Sequence, residues 1–136
     1  MYFQPDNYDA LFRQNDKPIR SIEKAMNGEY SAIHCYAKLA NLATDINERN
    51  QILEIRQDEI KHFHQFVQIH TLLTGKNPQP QITEECPTLY LNGLEFAIQD
   101  AQRSVDFYLE IADEETNQQI KEAFRRAADD EQNHAV

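Results

Sequence analysis

Apolar residues recur at alternating steps of three and four along four segments of the chain, the spacing that lines one face of an α-helix. The first stripe runs Ile22, Met26, Glu29, Ala32 or Ile33, Tyr36, Ala40, Ala43. The second runs Ile52, Ile55, Glu59, His62, Phe66, Ile69, Leu73, and the third Leu91, Glu95, Ile98, Gln102, Val105, Leu109, Ala112. The fourth is Ile120, Phe124, Ala127, Glu131, His134. Each stripe is apolar enough to face a core, and each is interrupted by one glutamate. Two of the four add a histidine three residues on, in Glu59-Ile-Lys-His62 and Glu131-Gln-Asn-His134.

These segments predict an all-α chain of four helices. Helix 1 is expected from near Pro18, a residue favoured in a first turn, to about Thr44, with Gly28 inside it. Asn47 is the expected cap of helix 2, which runs to about Thr74 and stops at Gly75. Residues 75–88 hold Pro and Gly without periodicity and form a linker. Helix 3 spans about 88–113, and a turn at 114–117 leads into helix 4. Residues 1–17 lack a helical stripe and are expected to be an N-terminal arm, leaving 18–136 as the bundle. Helices of about 25 residues are roughly 40 Å long, and a linker of about 14 residues reaches about 46 Å. It can therefore cross the bundle from end to end. Such a crossover also brings Glu59 and Glu95 to a more similar depth. The fold expected is a four-helix bundle with a long crossover between helices 2 and 3, in which helices 1 and 2 and helices 3 and 4 form two related pairs.

Length and charge narrow the function. One domain accounts for 136 residues. A net charge of −10 argues against nucleic acid and anionic membranes as partners, and no apolar run approaches a membrane span. No signal-peptide pattern opens the chain, so a cytoplasmic home is expected. Cys35 and Cys86 are isolated, and the absence of any C-x-x-C excludes a zinc ribbon, a rubredoxin-type iron site and a thioredoxin-type pair. In the cytosol they are expected to be packing residues rather than a disulfide.

Four inward carboxylates are not a packing device. A buried carboxylate without a partner is expensive or becomes protonated, and no Lys or Arg occupies the inward positions. Bound cations are the natural compensation. Four carboxylates and two imidazoles suit two divalent metals, each with one His and one terminal Glu, and two Glu bridging them. Oxygen and nitrogen donors without sulfur favour iron or manganese, with zinc as a substitute.

This pattern resembles the ferritin-like superfamily of di-iron carboxylate proteins, and rubrerythrin and bacterioferritin most, over residues 18–136. In such proteins two helices give a Glu and two give Glu-x-x-His. The resemblance implies a ferritin-like bundle with two iron ions, Glu29 and Glu95 as terminal ligands, Glu59 and Glu131 as bridges, and His62 and His134 as nitrogen ligands. It places Tyr36 two turns beyond the first ligand, a candidate redox or hydrogen-bonding residue, with core packing as the plainer role. Tyr108 is a candidate for the same roles, again with core packing as the plainer one. Asp58 and Asp130 precede the bridging glutamates, where acids of the family hydrogen-bond a ligand His; a surface role is the alternative. His34, His64 and His70 are expected to be structural or surface residues. The chain departs from rubrerythrin in having Ile98 three residues after Glu95, where a further glutamate is usual, and in lacking a rubredoxin domain. Electrons would then come from a separate donor protein or from Fe(II).

The function implied is a non-haem di-iron oxidoreductase that reduces H₂O₂ or O₂, oxidises Fe(II), or both, working as a homodimer or higher homo-oligomer. Iron storage as a ferritin-type subunit and a metal-free helical scaffold are the alternatives.

Overall fold

A computed structural model describes the backbone of residues 5–135 and the side chains of residues 17–135. Four helices follow in order: α1 (Pro5–Leu42), α2 (Ile46–Thr74), α3 (Tyr90–Glu114) and α4 (Gln118–His134). Their ends are set by local chemistry. Asp45 caps α2, its carboxylate accepting from the N–H groups of Asn47 and Glu48, so the cap lies two residues before the Asn47 expected from sequence. Gly75 ends α2 with a left-handed φ of 69°, a conformation natural to glycine. The Asn117 side chain accepts from Gln119 and Ile120 at the start of α4. The guanidinium of Arg49 donates to the carbonyls of Ala40 and Ala43, satisfying groups that the end of α1 leaves without helical partners.

One boundary differs clearly from the sequence expectation. Helix α1 does not begin near Pro18; it begins at Pro5 and carries Pro18 inside it. Periodicity cannot register a helix through the mostly polar stretch 5–17. The side chains of residues 1–16 of the expected N-terminal arm lie outside the described residues.

The crossover is present. Helix α1 packs against α2 and α3, and α4 against α3 and α2, while α2 and α3 lie diagonally and meet through long side chains, as where the Tyr90 hydroxyl donates to Glu48. The linker after Gly75 runs alongside α1. The Gln81 N–H donates to Asn27 Oδ1, and the Thr83 N–H to Ser31 Oγ. Cys86 then meets Cys35, and Gly93 of α3 lies against Leu39. Each step along the linker moves further up α1, so α3 starts at the opposite end of the bundle from where α2 stops. The sequence reading of the two cysteines as separate packing residues is corrected: they form a disulfide with Cα atoms 5.1 Å apart. Their proximity is created by the path of the crossover, 51 residues of chain apart, and cannot be read from spacing.

The core divides into two apolar clusters. One gathers Ile22, Met26, Phe66, Tyr108, Phe124 and Ala127, with the Phe66 and Phe124 rings stacked at 4.5 Å. The other gathers Cys35, Tyr36, Leu39, Ala40 and Ile52, with Ala97 of α3 at its edge. On α1, α2 and α4 the residues between or beside these clusters are polar, and they form a buried layer across the bundle. Glycine plays different parts at two sites. A side chain added at Gly93 would collide with Leu39, whereas Gly28 faces open space, so the close helix approach occurs at Gly93. Among the described residues no helix is long and apolar enough to cross a membrane.

Candidate metal centre

The polar layer consists of Glu29 from α1, Glu59 and His62 from α2, and Glu131 from α4, all 3% exposed or less. One ligand atom from each lies within 4.8 Å of the others. His134, whose side chain is 5% exposed, joins from the end of α4, its Nδ1 3.0 Å from Glu59 Oε1 and 3.6 Å from Glu131 Oε2. Nδ1 of His62 lies 3.6 Å from Glu29 and 3.4 Å from Glu131. Glu59 and Glu131 therefore each approach both halves of the cluster, while Glu29 stands beside His62.

The imidazoles are oriented from behind. His62 Nε2 is 2.8 Å from Asp130 Oδ2, and His134 Nε2 is 2.9 Å from Asp58 Oδ2. Each aspartate belongs to the helix opposite its histidine, so the pairs cross-link α2 and α4. A carboxylate accepts only, so Nε2 must carry the proton and Nδ1 keeps its lone pair. Both Nδ1 atoms, Glu29 Oε2, Glu59 Oε1 and Glu131 Oε1 are buried without a hydrogen-bond partner. Five electron-pair donors thus converge, an arrangement that is costly unless a cation or a proton is shared among them. This donor set of carboxylate oxygens and imidazole nitrogens fits divalent metal ions.

Protons compete for the same lone pairs. Burial, and then the charges of Glu29 and Glu131, push Glu59 well above the usual carboxylate range. For His62, burial favours the neutral form, but the carboxylates of Glu131 and Glu29 facing Nδ1 outweigh it and push the imidazole up to about 10. His134 is raised against the same burial by Glu131 and Asp58. Burial raises Glu131, but the imidazoles of His134 and His62 beside it outweigh that and hold it low, at about 2.

Two tyrosines border the layer. The Tyr108 hydroxyl donates a short hydrogen bond to Glu29 Oε1. Tyr36 is buried at the edge of the second cluster, and burial plus the charges of Glu59 and Glu131 keep its phenol protonated. A cavity of about 420 Å³ lined by Tyr36, Ile55, Asp58, Ala97 and His134 opens beside it.

Glu95 is not part of this constellation. It is exposed, as are Leu91 (76%), Ile98 (45%) and Leu109 (40%) of the stripe that predicted its inward direction. Helix α3 instead buries Gly93, Ala101, Tyr108, Ile111 and Ala112. Its apolar residues occur on both sides of the helix, and its small ones, which permit close approach to α1, face inward. Periodicity weighted towards large side chains selected the wrong face. A similar drift affects the end of α2, where His70 is buried against Glu23 at 3.0 Å while Leu73 is 46% exposed, the reverse of what the stripe implied.

Comparison with known proteins finds relatives in sequence and in fold. An uncharacterized protein of Bacillus subtilis (strain 168), YhjR, is 48% identical over 136 residues, covering 100% of this chain and 94% of its own. A hypothetical protein from Pyrococcus furiosus shares the fold with a TM-score of 0.72 at 18% identity, over 87% of this chain and 83% of that one. The sequence profile of the rubrerythrin family matches residues 20–136.

Proposed function

Because the chain belongs to the rubrerythrin family, we propose that it is a non-haem metal-dependent oxidoreductase whose centre is the Glu29, Glu59, His62, Glu131 and His134 cluster. The observation that carries this reading is the convergence of five buried, unpartnered donor atoms with both histidines held from behind by aspartates. When bound, a pair of iron ions would supply the electrons that reduce H₂O₂ or O₂, or take them from Fe(II) as substrate.

The chain's own residues have definable parts. Glu59 and Glu131 are shared between the two halves. Asp58 and Asp130 fix the tautomer and aim of His134 and His62. The Tyr108 hydroxyl donates to Glu29 and fixes its orientation. Tyr36, protonated and beside the cavity at His134, is placed to donate a proton or hydrogen bond to a small molecule approaching from that side. Apolar clusters above and below shield the layer, which the cavity at His134 approaches from one side. An external electron-donor protein and self-association belong to the same proposal.

Two measurements test it. Metal content is determined after purification without chelator, and Fe(II) is then added aerobically while O₂ or H₂O₂ consumption and near-ultraviolet absorption are followed. The proposal expects bound metal and iron-dependent consumption of oxidant, both lost in Glu59→Ala with helix content retained. No bound metal, no uptake and a melting curve indifferent to chelator would contradict it.

A further inference from the structure

We infer that the two halves of the centre are unequal: the half formed by Glu29 and His62 binds metal tightly, and the half at His134 is a weaker, more open position because α3 contributes no carboxylate to it. The inference rests on the reading of the cluster as a metal centre. Glu29, Glu59, His62 and Glu131 form one group of mutually close donors. His134 falls outside that group and shares only Glu59 and Glu131 with it. The first half therefore has a carboxylate of its own, and the second has none.

Helix α3 is where that carboxylate is missing. Glu95, Asp106, Glu110, Asp113 and Glu114 are all exposed. Asp100 is half-buried and within electrostatic reach of Glu131; burial, the neighbouring carboxylate of Glu84 on the crossover and the charge of Glu131 push it up to about 8, but it lines the groove between α1 and α3 with Glu84 and Arg103 and is not among the converging donors. The inward face at the level of the polar layer is held by Ala101. It is 2% exposed and belongs to neither apolar cluster. On the same helix Ala97 lies in the cluster on one side and Tyr108 in the cluster on the other. Steps of four and seven residues put Ala97, Ala101 and Tyr108 on one face. A methyl group thus stands where a donor for the His134 half would arise, and the cavity at His134 leaves that half open to small molecules.

The test is an anaerobic titration of metal-free protein with Co(II) alone, followed by visible absorption and calorimetry. Two steps are expected, the second weaker by at least about tenfold, since loss of even an outer partner of a ligand weakens metal binding 10–100-fold. His134→Ala should remove the second step and spare the first. Ala101→Glu, checked for helix content and melting, should narrow the gap, with Ala101→Asp as the smaller alternative should the longer side chain disturb folding. Glu95→Gln should change neither step. Two equal steps in the wild type, or a first step lost in His134→Ala, would overturn the inference while leaving the metal-centre reading intact. No Co(II) binding at all would overturn both.

Discussion

The two helix pairs of this bundle are built on the same plan and have diverged in what they bring to its centre. The α1–α2 pair delivers Glu29, Glu59 and His62, all buried. The α3–α4 pair delivers Glu131 and His134, both from α4, while α3 buries Ala101. Covalent and polar reinforcement follows the same division. The crossover is stapled to α1 by the Cys35–Cys86 disulfide and by hydrogen bonds to Asn27 and Ser31, whereas His134 sits at the last residue of α4. The comparison teaches that two helix pairs packed in the same way can supply different numbers of buried polar side chains to one layer. What unites the halves is the exchange of aspartates: Asp130 of α4 aims His62 of α2, and Asp58 of α2 aims His134 of α4.

The largest expected effect comes from cutting the staple on the first pair. Replacing Cys35 and Cys86 by serine, or reducing them, opens a loop of 51 residues and should lower stability by about 4 kcal/mol in the chain-entropy account, measurable by denaturant unfolding. An unchanged midpoint would mean that the hydrogen bonds alone hold the crossover.

Next in size is Glu59→Ala, which strikes both halves together. A metal present at 100 times its Kd stabilises by about 2.7 kcal/mol, or roughly 9 °C for a chain of this length. Chelator should lower the wild-type Tm by about that amount and leave the variant unmoved. A smaller effect should separate the halves. Asp130→Ala should weaken the tighter metal step 10–100-fold and Asp58→Ala the weaker one by a similar factor, read by the same titration. If both substitutions weakened the same step, the division into halves would be wrong.

Acidity gives the mildest probe. The folded-state pKa of His62, raised from 6.5 to about 10, means that the protonated form stabilises the metal-free fold. That contribution is complete below pH 6.5 and is lost as pH rises through 10. Metal binding must expel the proton, so affinity should rise over the same window and binding should release protons. Parallel melts of metal-free and metal-loaded protein from pH 6.5 to 10 should diverge, the metal-free form losing stability. Parallel curves would contradict the competition.

Much of this was legible in the residues. Stripes at helical spacing located α2, α3 and α4 to within a few residues, and the two Glu-x-x-His motifs pointed to the layer at which their side chains meet. The length of the linker implied the crossover. Glu95 was misplaced because α3 has apolar side chains on two faces, and the buried one holds Gly93, Ala101 and Ala112 beside Tyr108 and Ile111, small residues whose size is itself the packing signal. The disulfide was missed because only the folded path of the crossover brings Cys86 to Cys35. His70 was missed because the burial of an imidazole depends on Glu23, a partner 47 residues away.

The most direct test is a crystal grown with Fe(II) or Mn(II) and examined for anomalous scattering. A strong peak among Glu29, Glu59, His62 and Glu131, with a weaker one beside His134, is the predicted result. No peak within the bundle, or one bound by Glu95, would contradict the account.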